Sequence, residues 1–313
     1  MKGNIILPSA FQERFQLLLG DEYAQFIDTI SQPPVNFLRI NTLKTTLQSG
    51  INQLQHHGIE ASALPWYSAG FRISGPHEGL SFTREYSLGW YYLQEGGSML
   101  PPVTLDVQPH HVVLDLCAAP GSKTTQMAQM MNNAGAIVAN DRSLRRLTIL
   151  GHNLQVCGVM NTITLCQDGR YLSTGLPLQF DRILVDVPCT ASGHLRSKSP
   201  QFKAPNLQRV LGIQAIQKGL LTAAFQLLKP DGSLVYSTCS LHPEENETIV
   251  DHLLRKTSEA AVIRPQITGL RSHPGISEWN NVQYQEAVLD CLRVYPHDND
   301  TDGFFIALIR KEP

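Results

Sequence analysis

Two cysteines in this chain are placed to do chemistry together. Cys189 follows Asp186-Val187-Pro188, and Cys239 follows Tyr236-Ser237-Thr238. Each stands just past an apolar run that reads as a strand. A lone cysteine is ordinarily a small buried hydrophobe; two at adjacent strand ends, facing one crevice, point instead to a nucleophile. A thiolate adding at C6 of cytosine makes the ring enamine-like, and C5 can then take a methyl group. This covalent route splits one hard step into easier ones. It needs the base out of any helical stack and a group to hold N3 and N4 as charge develops. Asp186, three residues before Cys189, has the chemistry for that. A thiol of ordinary pKa, ~8.5, is only a few per cent thiolate at neutral pH. Glu244 and Glu245 nearby oppose its ionisation, so a basic group elsewhere or the bound substrate must favour it. From the residues alone, either cysteine can be the attacker.

The methyl donor has to lie beside them, and residues 111–125, HVVLDLCAAPGSKTT, supply the place. They read as a central parallel strand, a small-residue loop and a helix start. Ala118, Ala119, Pro120 and Gly121 let the backbone approach a ligand, and the helix opening at Ser122 offers free amides. Neither G-x-G-x-x-G nor a Walker A loop is present, which excludes the common nucleotide cradles; a purely structural strand–helix turn is the alternative. Asp115, Asp141, Asp168 and Asp186 recur at predicted strand ends, which lie along one edge of a parallel sheet. Each alone is a candidate helix cap. Together they favour a nucleoside-bearing ligand, with Asp141 near ribose hydroxyls and Asp168 near the base.

The elements that carry these residues alternate. Strands are expected at 111–116, 136–140, 161–166, 181–186 and 232–238, with a last one at 304–309. Helices are expected at 122–132, 143–156, 207–228 and 243–256. This pattern predicts an α/β fold with a doubly wound, mostly parallel sheet over residues 96–313. Residues 1–95 read as a small α+β domain with two short helices, a strand at 35–42 holding the odd charge Arg39, and a helix at 46–58. Residues 91–105 read as a linker and lead-in helix, where Tyr91 and Tyr92 either stack a base or pack between domains. Residues 262–298 resist assignment.

With 313 residues, the length suits about two domains at ~150 each. The net charge of −2 means that any nucleic-acid binding rests on local basic patches. No apolar run reaches the ~18 residues of a membrane span, and residues 1–9 are too short for a signal peptide, so a cytoplasmic protein is expected. None of the six cysteines forms a C-x-x-C pair, so free thiols are expected rather than a zinc cluster. Asp298, Asp300, Asp302 and Gly303 imitate the start of a calcium loop, but Ile309 stands where a bidentate Glu is needed. No metal and no membrane partner are expected.

At these residues the chain resembles the RNA cytosine-5 methyltransferases of the Nol1/Nop2/Sun family. The likeness runs through Pro33-Pro34-Val35, Arg39 to Lys44, Gln94-Glu95, LDLCAAPGSKTTQMA, Asn140-Asp141, DVPCT, YSTCSLHPEEN and Asp302-Gly303-Phe304-Phe305, and covers most of the chain. It implies a Rossmann-like methyltransferase sheet preceded by an RNA-recognition-like domain. It further implies that Cys117, Ala118, Ala119, Pro120, Gly121, Ser122 and Lys123 hold S-adenosylmethionine, with Asp141, Asp168 and Asp186 at the other cofactor-side positions. Cys239 matches the nucleophile, and Cys189 the residue that assists release. The expected partner is RNA, ribosomal favoured over transfer RNA, and a monomer is expected. Ala191 replaces the first Gly of the family's Pro-Cys-Ser/Thr-Gly-x-Gly, which bears on the loop after Cys189. With no long extension after residue 310, substrate choice is expected to rest on the N-terminal domain and main cleft, with Arg196, Lys198 and Lys203 as candidate phosphate contacts. Two other readings keep the scaffold: a DNA cytosine-5 methyltransferase attacking through Cys189, and a non-catalytic RNA-binding or ribosome-assembly factor.

Overall fold

A computed structural model of the chain describes residues 7–196 and 207–313. Two helices come first, α1 (Ser9–Leu19) and α2 (Tyr23–Ile30). Phe11, Phe15 and Leu19 on one and Phe26 and Ile30 on the other recur at helical spacing and are buried. Their apolar face closes on Leu195, Leu241 and Tyr295, far along the chain. The chain then builds β1 (Asn36–Ile40), α3 (Leu47–His56), β2 (Glu60–Leu64), β3 (Tyr67–Ser74), a short α4 (Arg84–Ser87) and β4 (Tyr91–Leu93). These strands form an antiparallel sheet in the order β2-β3-β1-β4. Thr46 caps α3 by accepting from the Ser49 amide.

Residues 91–93 are therefore a sheet edge, not a linker. Tyr91 is buried and donates its hydroxyl to Gly50 O at 3.0 Å. Tyr92 lies against Arg39, 5.3 Å from ring centre to guanidinium. Three residues are too few for strand alternation to be visible in sequence.

The larger sheet follows: α5 (Leu100–Leu105), β5 (Val112–Asp115), α6 (Ser122–Met130), β6 (Ala136–Asn140), α7 (Leu144–Cys157), β7 (Thr162–Leu165), α8 (Leu172–Gly175), β8 (Phe180–Asp186), α9 (Leu207–Gln226) and β9 (Leu228–Thr238). After these come α10 (Glu247–Leu254), β10 (Ala260–Ile263), β11 (His273–Pro274), β12 (Glu278–Trp279), β13 (Val282–Gln283), β14 (Leu292–Val294), α11 (Pro296–Asn299) and β15 (Phe304–Lys311). The strand order is β11-β14-β15-β9-β8-β5-β6-β7, with β10 also on β15. Strands β5 to β9 run parallel, and β15 enters antiparallel to β9.

Alternate residues feed two cores, as the strand period requires. Val113, Leu184, Val235 and Ile306 face α5 and α6, whereas Leu114, Ile183, Leu234 and Phe305 face α9 and α10. The order reverses beside β5, which opens a crevice at the carboxyl ends of β5, β6 and β8.

Three expectations shift. Strand β9 starts at Leu228 rather than 232, and a register shift against β8 accommodates Pro230 and Gly232. Helix α10 starts at Glu247 rather than 243, because residues 243–246 form turns that hold Glu245 and Asn246 inward. The unassigned stretch holds strands of two or three residues, including a hairpin turning on Asn280 and Asn281, both at positive φ.

Candidate active site

Strand β5 delivers the small-residue loop to the crevice. Ala118 N donates to Asn140 O at 2.8 Å, and Asn140 returns its side-chain amide to Leu116 O at 3.0 Å, locking the loop to the end of β6. Gly121 has φ +109, and a Cβ there would meet Leu150 at 2.6 Å. Arg146 and Asn153 of α7 donate to Ala119 O and Pro120 O.

The helix that follows is tied to the N-terminal sheet through Arg39. Its guanidinium is fully buried and donates to Gln94 (3.1 Å), Thr125 (2.7 Å) and Gln129. Gln129 donates in turn to Ile40 O at 3.0 Å. The odd charge of β1 is thus the pin between the two sheets.

A cleft of about 270 Å³ opens here, lined by Cys117, Ala119, Asn140, Asp141, Asp168, Asp186, Pro188, Cys189 and Cys239, with Leu116, Ile216 and Leu220 among its apolar walls. Ala118, Pro120, Gly121, Ser122 and Lys123 of the same loop are not among the residues that line it. Asp141 accepts from the Ser143 amide (2.9 Å) and pairs with Arg146 (2.9 Å). Asp168 caps the turn after β7 and pairs with Arg170, whose hydrogen bonds hold the carboxyl below its usual range.

Asp115 does not join the other three. It turns inward, buried, and accepts from Thr124 at 2.6 Å. Burial pushes its carboxyl up to about 7, against the Thr124 hydrogen bond.

At the cleft's other end the Cys189 and Cys239 sulfurs lie 3.2 Å apart, both as free thiols. The hydrogen bond with Cys189 pushes the Cys239 thiol well up, followed by burial and the negative charge of Asp186; Lys123 pulls the other way. Asp186 is held on both oxygens, by Lys123 Nζ at 2.8 Å and by the Ser237 hydroxyl at 2.8 Å. Burial opposes the Lys123 charge, but Asp186 outweighs it and keeps the ammonium above its usual range.

Sequence reasoning placed Lys123 in the loop but missed this contact. The signal was its position one residue into α6, the first turn facing the strand ends.

The acidic neighbours of Cys239 do not act as expected. Glu245 is fully buried and accepts from the Thr190 amide (2.9 Å), the Thr190 and Ser240 hydroxyls and Gln217 (3.2 Å). It braces both cysteine loops. Glu244 turns to Arg14 and Trp279.

Gly193 N donates to Cys239 O at 2.8 Å, and Gly303 N to Gly193 O at 3.1 Å. A Cβ on Gly193 would lie 2.3 Å from Gly303 O, so the loops fit only without one. Ala191 has φ +55, the left-handed conformation that glycine adopts freely. His194 pairs with Asp302, whose amide donates to half-buried Glu95 at 2.8 Å. Arg196 is buried and donates to Asp300 (2.5 Å) and Pro33 O (2.9 Å), so it is not free for phosphate. Lys198 and Lys203 lie outside the described residues.

Residues 102–310 match the family described as 16S rRNA methyltransferase RsmB/F, and residues 7–96 match the N-terminal domain of 16S rRNA methyltransferase RsmF. The chain is 41% identical to the tRNA (cytosine(49)-C(5))-methyltransferase of Pyrococcus abyssi, over 96% of this chain and 94% of that one. It is 35% identical to the ribosomal RNA small subunit methyltransferase F of Vibrio atlanticus, spanning 99% of this chain but only 65% of that protein. Among solved structures, a methyltransferase homolog from Pyrococcus horikoshii superposes with TM-score 0.87 at 33% identity, covering 98% of this chain and 96% of that one. NSun6 from Pyrococcus horikoshii with SFG shares the fold, with TM-score 0.85 at 24% identity, over 98% of each chain.

Proposed function

The chain belongs to the 16S rRNA methyltransferase RsmB/F family, and we propose that Cys239 is its nucleophile, Cys189 its release base and Asp186 the group that holds the target base. It is an S-adenosylmethionine-dependent RNA cytosine-5 methyltransferase. The carrying observation is the pair of sulfurs 3.2 Å apart in one cleft with Asp186.

The cleft suits the cofactor in its donor set. Leu116, Ile216 and Leu220 offer apolar walls for a flat ring, and the Asp141 and Asp168 carboxylates retain acceptor capacity for ribose hydroxyls beyond their present partners. The backbone of residues 117–123 and these two aspartates would hold it. When bound, S-adenosylmethionine supplies the electrophilic methyl group.

The protein does the rest. Cys239 Sγ, as thiolate, forms a bond to C6, and the C5–C6 π pair becomes available at C5. Asp186, oriented by Ser237 and Lys123, holds the N3–N4 edge as its charge changes. After C5 is methylated, Cys189 takes the C5 proton. The pair from that C–H bond reforms the ring double bond, and the C6–sulfur bond breaks to return Cys239 as thiolate. Lys123 is the basic group that the thiol chemistry requires, since it opposes the forces raising the Cys239 pKa.

For substrate, transfer RNA is the first choice. A relative at 41% identity is named a tRNA enzyme, whereas the Vibrio ribosomal enzyme stands at 35%. The sequence reading favoured ribosomal RNA, so both acceptors enter the test. The test is methyl transfer from labelled cofactor to tRNA and to small-subunit rRNA by the wild type and by Cys239→Ala. Transfer to tRNA, lost in the variant, supports the reading; full activity without the thiol refutes the nucleophile, and a preference for rRNA refutes the substrate.

A further inference from the structure

Far along the chain from the cleft, three segments meet at a cluster of four potential metal ligands. Glu22 comes from the turn before α2, His273 from β11, and His297 and Asp298 from α11. Glu22 Oε2, His273 Nε2, His297 Nε2 and Asp298 Oδ1 are all within 4.8 Å of one another, and none of the four residues lines the cleft. Among the described residues this is the one group of its kind.

The measured edges of the cluster are 2.9 Å (His297–Glu22), 3.0 Å (His273–Asp298) and 3.4 Å (His273–Glu22). Zinc–ligand bonds of ~2.0–2.1 Å in a tetrahedron set ligand separations of ~3.3 Å. Little movement therefore brings these atoms onto one ion. Two imidazole nitrogens and two carboxylate oxygens suit a divalent transition metal better than calcium or magnesium, which prefer all-oxygen shells.

Charge balance argues the same way. Two carboxylates and two imidazole nitrogens face one point, and a divalent cation there would be charge-neutral with them.

The ligands are also held in place. Asp298 Oδ2 accepts from the Tyr295 amide at 2.8 Å, which leaves Oδ1 aimed at the cluster. His297 stacks on Tyr295, ring centres 5.7 Å apart, and meets the edge of Phe26 at 6.2 Å. His273 packs on Tyr295 from 5.0 Å. These ring contacts hold both imidazoles in orientation, while His297 Nδ1 is buried with no hydrogen-bond partner among the described residues. The His297 side chain is 3% exposed, whereas Glu22 is 44% exposed and leaves an entry path.

We propose that Glu22, His273, His297 and Asp298 form a tetrahedral site for a divalent transition metal such as zinc, which clamps the first two helices to the segment preceding β15. Glu22 and His297 are 275 residues apart, so a bound ion ties two distant parts of the chain together.

The test uses tag-free full-length protein. Wild type, Glu22→Gln and His273→Gln are stripped with a chelator and titrated with zinc chloride against a chromophoric competitor. Thermal unfolding is followed with and without zinc, and cobalt(II) reports geometry by its absorption. One zinc per wild-type chain, a tetrahedral cobalt spectrum and a rise in Tm on adding zinc to the stripped wild type are expected, with binding lost in both variants. The wild-type Tm arm needs no substitution, so a variant that misfolds does not decide the outcome. No binding above the variants' level, or an unchanged wild-type Tm, overturns the site.

Discussion

Lys123 Nζ lies 2.8 Å from Asp186 Oδ2, joining the first turn of α6 to β8, the strand that leads to Cys189. The same ammonium favours ionisation of Cys239. One side chain therefore couples the loop proposed to hold the cofactor to both the carboxylate proposed to hold the base and the thiol.

Lys123→Met should accordingly slow methyl transfer. A hydrogen bond to a charged group is worth ~1.5–3 kcal/mol, so kcat should fall ~10- to 100-fold. Because Lys123 lowers the Cys239 pKa, its loss should also shift the alkaline rise of the pH–rate profile to higher pH. An unchanged profile would remove Lys123 from thiol activation.

The two cysteines should fail differently. In Cys189→Ala the attack remains and release is lost, so a covalent protein–RNA adduct should accumulate on a denaturing gel. The double variant with Cys239→Ala should show none. An adduct formed by Cys239→Ala alone and absent from the double variant would make Cys189 the attacker, as in the DNA-type alternative.

Ala191 sits at φ +55 in the loop after Cys189. A left-handed residue with a Cβ carries ~1–2 kcal/mol of strain, part of which is offset by the larger unfolded-state entropy of glycine. Ala191→Gly should therefore raise stability by ~0.5–1 kcal/mol. The check is denaturant unfolding with an unchanged m-value; a lower midpoint would mean that the strain is relieved in some other way.

Asp115 gives a pH signature. Burial raises its folded pKa to about 7, above the ordinary carboxylate value. The folded state thus binds more protons between the two values, and its stability contribution is present at low pH and lost as pH rises through about 7. Asp115→Asn keeps the acceptor for Thr124 and removes the proton. The stability difference between wild type and variant should change across the range from about 4 to about 7 and flatten outside it. A difference that is constant with pH refutes the assignment.

Much of the site could be read from residue spacing, because strand ends in a parallel sheet share an edge. Cys189, Cys239, Asp141, Asp168 and Asp186 line one cleft for that reason. Asp115 carried the same signal yet points inward, since it is the last residue of a central strand and its side chain falls on the α6 side beside Thr124. The contacts that sequence missed are those between distant segments: Arg39 with Gln129, Gly193 with Cys239, Glu245 with Thr190. Periodicity reports which face of an element is buried, not what covers it. The short strands of the C-terminal third escaped for a simpler reason: two residues have no period.

The first helices were read as part of the N-terminal unit, but their apolar face rests on Leu195, Leu241 and Tyr295. This has a consequence for biosynthesis. A ribosome makes α1 and α2 early and their cover late, so Phe11, Phe15 and Phe26 must wait for most of the chain to be translated before they are sheltered. During that interval they are a ready target for chaperones and for self-association. Substitutions at Leu241 or Tyr295 should thus harm yield in the cell more than their cost to the finished fold would suggest.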